Sequence, residues 1–134
     1  MPPRYDPSAD RQRLHHLAVE FFEIVRTFCD HEPLLRGNLK NLRRRCGKPR
    51  CRCVRGKLHE TLVFINTDPP RRTIRKVSIG QYQDLRKPVK RYRTLRRLRA
   101  RLGRLRREAL RSCDRLRDHR LAEGRRILGR RKRH

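Results

Sequence analysis

Apolar residues recur at alternating steps of three and four near the start of the chain, at Leu14, Leu17, Phe21, Ile24 and Phe28, with Ala18 and Val25 widening the stripe. That spacing puts them on one face of an amphipathic helix, expected over 8–31. Asp6 or Ser8 can cap its start and Pro33 supplies a stop. Between Gly37 and Gly80 the helical period fails. Glu60 to Asn66 carries Leu62, Val63, Phe64 and Ile65 and reads as a strand; Arg72 to Ile79, with Ile74, Val77 and Ile79, reads as a second. The stretch Thr67-Asp68-Pro69-Pro70-Arg71 would turn one into the other through a loose loop, and a third short strand fits near Asn38 to Arg44.

Helical spacing resumes near Pro88, a residue suited to a first helical position because its missing N–H would have no partner there. Gln81 to Arg86 forms a short preceding turn or a kinked extension. Over 88–123, Leu95, Leu98, Leu102, Leu105, Ala109 and Leu116 make a narrow heptad-like stripe. A stripe that narrow, bordered by arginine, must face a single partner helix. The N-terminal helix is the obvious partner, since it has a matching stripe and is slightly acidic. An antiparallel pairing would bring Glu20 and Glu23 near the arginine flanks. The competing reading pairs the long helix with its own copy in a homodimer. The remaining residues, 124–134, end in Arg130-Arg131-Lys132-Arg133-His134 and read as a basic tail, disordered until it meets phosphate.

Charge then changes the picture. Forty Lys and Arg against 13 Asp and Glu leave a net charge of +27 on 134 residues, so the chain calls for a polyanion or dense counterions. Thirty-three of the forty are Arg, which favours planar, bidentate contact with phosphate. A membrane surface fits less well, because there is no Trp and only four Phe to face lipid, and three of those Phe lie in the least basic part of the chain. At 34% hydrophobic residues the core must be small, which limits the chain to a single domain, 1–123, ahead of the tail. No apolar run approaches a membrane span, and the opening residues lack the features of a signal peptide, so a cytoplasmic protein is expected.

Five Cys in such a chain point to metal ligation or buried thiols rather than disulfides. Cys46, Cys51 and Cys53, followed by His59, make three thiolates and an imidazole, a complete tetrahedral set for Zn2+. Gly47 and Pro49 favour a turn that gathers the first two sulfurs, and Gly56 lets the chain reverse so that His59 returns. The spacing is not that of a two-Cys two-His finger, and free or redox-active thiols are the alternative. Cys29 and Cys113, beside the helical stripes, read as small buried hydrophobes. The expected fold class is therefore α+β, with two long antiparallel helices flanking a small zinc-clipped β-hairpin module over 37–80.

The stretch Cys46-Gly47-Lys48-Pro49-Arg50-Cys51-Arg52-Cys53, with Gly37 and Leu39 upstream, Gly56 and His59 downstream, and Tyr92-Arg93-Thr94-Leu95-Arg96 on the long helix, resembles an uncharacterised family of small basic bacterial proteins. The resemblance covers roughly Gly37 to Leu105. It implies a zinc-ribbon-like module and a link to mobile elements, and carries no activity with it. Where that family tends to have His-Gly-Pro-Tyr, this chain has His59-Glu60-Thr61-Leu62.

Nothing in the sequence assembles a catalytic arrangement: there is no paired-carboxylate context, no Gly-rich phosphate loop, and no Ser with a matching His and Asp. The chain is read as a binder rather than an enzyme. No acid interrupts the chain from Arg36 to Leu58, or from Arg86 to Arg107. The expected phosphate contacts are Arg43, Arg44, Arg45, Lys48, Arg50, Arg52 and Arg55 in the cysteine-bearing module, and Lys90, Arg91, Arg93, Arg96, Arg97, Arg99, Arg101 and Arg104 on the long helix. Only Tyr82 and Tyr92 are near enough to stack on bases, which favours duplex DNA over RNA. The expected function is sequence-tolerant DNA binding, as an accessory factor in DNA transactions. The alternative is an RNA-binding structural subunit of a ribonucleoprotein or larger protein assembly.

Overall fold

The computed structural model describes residues 4–131. Its elements in chain order are α1 (Pro7–Phe28), β1 (Gly37–Arg44), a single 3-10 turn (Arg52–Arg55), β2 (His59–Asn66), β3 (Thr73–Lys76) and α2 (Ile79–Arg131). The class is α+β. Packing divides the described residues into two compact units, one of residues 4–30 with 97–131 and one of residues 31–96.

The first unit is a helical hairpin. Asp6 caps α1 by accepting hydrogen bonds from the Ser8 amide at 2.9 Å and the Ser8 hydroxyl at 2.8 Å, and Pro7 takes the first helical position. The helix stops at Phe28, where the Cys29 amide donates back to the Arg26 carbonyl, so it ends before the expected His31 and without the help of Pro33. Three ion pairs give its direction against α2: Asp10 with Arg115, Arg13 with Glu108, and Glu20 with Arg101. Numbers rise along one helix as they fall along the other, so the pairing is antiparallel. Leu17, Ile24 and Leu105 are buried between the helices, with Leu98, Leu102 and Ala109 packed against them. Phe21 and Phe28, expected on the buried stripe, are each about two-fifths exposed, because the packed seam follows the seven-residue step Asp10, Leu17, Ile24. Cys29 and Cys113 are also exposed, not the buried hydrophobes expected.

Toward the N-terminal end of α1 the seam turns polar. Ser112 lies one heptad after Leu105 and is fully buried. Arg115 grips the Asp10 carboxylate with Nε at 2.9 Å and Nη2 at 2.6 Å, and Nη2 also reaches the Ser112 hydroxyl. The Tyr5 hydroxyl donates to the same carboxylate at 2.7 Å, and its ring lies 5.4 Å from that of His119. Farther along, Arg101 holds Glu20 through two parallel bonds of 2.7 and 2.9 Å, and Glu108 bridges Arg101 and Arg13. These are the fork-to-fork contacts that a guanidinium makes and an ammonium cannot.

Helix α2 departs from expectation at both ends. It begins at Ile79, not Pro88, because Ser78 and Gln81 form a reciprocal capping box: the Gln81 amide donates to the Ser78 hydroxyl and the Ser78 amide donates to the Gln81 side-chain oxygen. Pro88 therefore lies inside the helix. At the other end the helix runs through Gly124 and Gly129 to Arg131, where a disordered tail was expected. Arg, Leu and Ala are good helix formers, and each Gly costs only about 1 kcal/mol against Ala. Lys132, Arg133 and His134 lie outside the described residues.

The second unit holds a three-stranded antiparallel sheet in the order β1-β2-β3. The expected third strand is β1, pairing along its whole length with β2 from Gly37 opposite Asn66 to Arg44 opposite His59. The expected strand over 72–79 is shorter, Thr73–Lys76, since Ser78 begins the cap of α2. Val63, Phe64 and Ile65 are all buried, so both faces of β2 are covered. The Arg93 guanidinium donates to Asn38, and the Leu35 amide donates to the Pro88 carbonyl, tying β1 and the segment before it to the first part of α2. On the opposite face the Phe64 ring lies across Gly37, an aromatic covering a strand glycine. No helix among the described residues is long and apolar enough to cross a membrane.

Two outcomes follow from these contacts. A Cβ at Gly37 would meet the Phe64 ring and the Ile65 carbonyl oxygen at 2.5 Å, so Gly37→Ala should cost about 2 kcal/mol of stability. An unchanged urea midpoint, with β1 and β2 amides protected as before in hydrogen exchange, would contradict this. The second concerns acid. Arg115, then Tyr5, holds the Asp10 carboxyl far below the ordinary carboxylate range. A depressed carboxylate stabilises the fold fully above its unfolded pKa of about 4, and that contribution is lost as pH falls further. Asp10→Asn should therefore lower the melting temperature at neutral pH by several degrees and flatten the loss of stability below about pH 4. Melts of both proteins across acid pH measure it.

Candidate metal centre

Strand β1 ends at Arg44 and β2 begins opposite it at His59, so residues 45–58 form the connection of a β-hairpin. This connection folds into a knuckle. The Cys51 amide donates to the Lys48 carbonyl, the Val54 amide to Cys51 and the Gly56 amide to Cys53. Gly47 and Gly56 take left-handed backbone angles, φ 79° and 100°, which a side chain would strain, and they mark where the chain bends into the knuckle and out of it. The expected roles of both glycines as turn-makers hold.

The result gathers all four expected ligands. The donor atoms of Cys46, Cys51, Cys53 and His59 lie within 4.8 Å of one another. Cys46 Sγ is 3.6 Å from Cys53 Sγ, and Cys51 Sγ is 3.1 Å from His59 Nε2. A tetrahedral site with metal–sulfur distances of about 2.3 Å has sulfur–sulfur edges of about 3.8 Å, so the spacing fits a bound ion with little movement. Cys53 is fully buried while Cys46 and His59 are exposed, placing the cluster at the surface with one sulfur rooted inward.

Electrostatics favour the charged ligand form at Cys51. The Cys53 backbone amide, with hydrogen bonds from Cys46, Cys53 and His59, lowers its thiol to about 6, which favours the thiolate. For Cys46 the Lys48 amide pulls the same way, but burial and the neighbouring Cys53 and Cys51 outweigh it, and the thiol is held above its ordinary value. Crowded thiols that cannot all ionise alone are what a divalent cation resolves, since coordination deprotonates them together.

The cations expected to contact phosphate fall into two groups. In the knuckle, Arg44, Arg45, Lys48, Arg50, Arg52 and Arg55 are all exposed, as is Lys57, which was not among the expected contacts. Others are answered within the fold. Arg43 pairs with Glu60 at 3.1 Å across the β1–β2 ladder, Arg91 with Glu32 at 3.3 Å, Arg93 with Asn38, and Arg101 with Glu20 and Glu108. Lys90, Arg96, Arg97, Arg99 and Arg104 are exposed on α2.

No protein-family model, no curated protein and no solved structure matches the chain. Its site is read on its own chemistry.

The sequence reading missed Glu60 as the partner of Arg43 and Asp10 as the partner of Arg115. Both signals were present. Glu60 follows a ligand at the start of a strand, and Asp10 continues the step from Leu17 and Ile24, where a lone buried acid in an apolar register calls for a cation partner.

The full-length protein should bind one divalent ion through three thiolates and one imidazole. Titration with Co2+ should give the intense visible absorption of tetrahedral cobalt–thiolate coordination. Cys51→Ser should abolish that spectrum, whereas Cys29→Ser and Cys113→Ser should leave one ion bound. A six-coordinate spectrum, or equal loss in all three variants, would contradict the assignment.

Proposed function

We propose that this chain is a nucleic-acid-binding protein that contacts duplex DNA mainly through Arg to phosphate, with a structural Zn2+ holding its knuckle in shape. The observation that carries the reading is the knuckle itself: Arg44, Arg45, Lys48, Arg50, Arg52, Arg55 and Lys57 are exposed around one hairpin connection that contains no acid. Solvated surfaces normally mix signs. One-sign density on a constrained loop suits a polyanion, because each phosphate neutralised releases condensed counterions.

Zinc is the ion that three soft thiolates and an imidazole prefer. Its part is structural, since four protein donors leave no open position for a substrate. The ion with three thiolates carries one net negative charge, which the surrounding cations offset; seven of them exceed that need. Binding through backbone phosphates is sequence-tolerant, and a role as an accessory factor in DNA transactions, in line with the mobile-element link, fits such binding. The second reading, an RNA-binding structural subunit of a ribonucleoprotein or larger assembly, draws on the same cations. The paucity of aromatic residues for base stacking favours duplex.

Fluorescence anisotropy with labelled duplex DNA, single-stranded DNA and structured RNA, each across a salt series, tests this. With about six phosphates contacted, log K should fall with log salt at a slope near −5, and each of Arg50→Ala, Arg52→Ala and Arg55→Ala should reduce the slope by about 1. Tightest binding to structured RNA would favour the second reading. Affinity indifferent to salt, or equally weak for all three nucleic acids, would overturn both.

A further inference from the structure

The helical hairpin leaves one face uncovered. A groove of about 1050 Å³ runs between α1 and α2 over Leu14, Phe21 and Phe22 on one side and Leu102 and Leu110 on the other. Phe22 is 64% exposed, Leu110 52% and Phe21 43%, so its floor is apolar and open to water. Contiguous apolar surface of this kind marks a contact site. The rim is charged in one sign only: Arg99, Arg104, Arg106 and Arg107 line the groove, and no Asp or Glu does.

We infer that this groove docks an amphipathic helix of a partner protein, one that presents an apolar stripe flanked by carboxylates. Floor and rim together select it. Nucleic acid would satisfy the arginines but has no apolar ridge to fill the floor, whereas a helix laid in a groove places apolar side chains at three- and four-residue steps along it. Carboxylates along the edge of that stripe facing α2, which supplies all four arginines, would meet guanidinium groups in the bidentate geometry that Arg101 and Glu20 already show within this hairpin. The groove follows α2 from Arg99 to Cys113, a length that accommodates about four helical turns.

A second copy of the chain is a poor occupant. Pairing the face with itself would set four arginines against four. The exposed apolar residues near the end of α2, Leu121, Ile127 and Leu128, lie on a stretch where Arg117, Arg120, Arg125, Arg126 and Arg130 outnumber Asp118 and Glu123, and those two acids already pair with Arg117 and Arg126, so most of the conflict remains. The acids of the hairpin seam are already engaged, Asp10 by Arg115, Glu20 by Arg101 and Glu108 by Arg13. A partner protein carrying carboxylates supplies the complementary charge.

The test uses the full-length protein and fluorescein-labelled helical peptides of about 18 residues. One carries leucine at the three- and four-residue steps with glutamate flanks, one has lysine flanks, and a third has the glutamates with serine replacing leucine. Because any anion is drawn to a chain of charge +27, the decisive variant is the double substitution Phe22→Ser with Leu110→Ser, which removes apolar surface and no charge. Both positions are exposed, so folding should persist, and circular dichroism checks it. The acidic amphipathic peptide should bind most tightly, lose about tenfold or more in affinity to the double variant, and the serine peptide should be indifferent to it. Arg104→Glu with Arg107→Glu should turn the preference toward the lysine-flanked peptide. Equal affinity of the acidic amphipathic peptide for wild type and double variant, failure of that peptide to bind, or a stable dimer of the protein that the double variant dissociates would each overturn the inference. Nucleic-acid affinity is read separately and does not enter these outcomes.

Discussion

Like-charge repulsion along α2 is the constraint to which the rest of the molecule responds. From Arg86 to Arg107 the helix carries no acid at all, and cations three and four residues apart on one helix destabilise it by a few tenths of a kcal/mol per pair. The relief comes from outside that stretch. Glu20 reaches Arg101 from α1, Glu32 meets Arg91, and Glu108 meets Arg101 from within α2 itself; beyond the stretch, Asp10 answers Arg115 in the same way. Each of these carboxylates also fixes geometry. A hydrophobic seam of leucines tolerates sliding by a turn; a bidentate pair at Glu20–Arg101 and a second at Asp10–Arg115 do not, so register is set at two points of the hairpin rather than by packing alone. The role of these pairs is specification more than bulk stabilisation, since the arginines in them remain a third to a half exposed.

In the sheet-bearing unit the difficulty is a small core. Its buried apolar residues are Cys53, Val63, Phe64, Ile65 and Val89. Along β2, burial concentrates near the Asn66 end, where Phe64 covers Gly37, and fades toward His59. The donor set stands at that poorly buried end, just beyond the rung between Arg44 and His59. Packing thus holds one end of the β1–β2 ladder, and the cysteine cluster is placed to hold the other. A metal bound at a site that exists only when the strands are paired would add its free energy to the pairing, a gain that matters for a small module with little apolar surface.

Much of this was legible in the residues, and the exceptions have physical causes. The four-ligand set, the β2 strand and the antiparallel helix pair follow from spacing that each element imposes on its own residues. The start of α2 was misplaced because Pro88 is a strong local signal for a first helical turn, while the capping box of Ser78 and Gln81 sits where Ile79 seemed to continue a strand. The expected disorder over 124–134 rested on the run of basic residues, but Arg125, Arg126, Leu128 and Arg130 are good helix formers and the helix continues through Gly124 and Gly129 to Arg131. The openness of Phe21 and Phe28 could not be read from period alone. A stripe of three- and four-residue steps is wider than the seam that one partner helix covers, and which edge stays exposed depends on the rotation that Asp10 and Arg115 impose.

The same pairs bear on what a high arginine content means. The preference for Arg over Lys is usually taken as a sign of phosphate recognition, yet the two most fully formed bidentate contacts in this molecule are made to its own carboxylates. Part of the arginine is therefore used to fold the chain, and Arg101, Arg43 and Arg91 belong to that part because each is already paired with a carboxylate, while Arg93 keeps its charge and donates to the neutral amide of Asn38. A neutralised arginine gains little by meeting phosphate, since it must first leave its partner. The knuckle holds no acid of its own, as none falls between Arg36 and Leu58. Its position on a connection bent by two left-handed glycines, around donors that a metal would lock, keeps those cations close to one another at the cost of mutual repulsion. Repulsion held by a constrained loop would be relieved by an anion, so under the proposed function it would favour binding in a way that the paired arginines of α2 cannot.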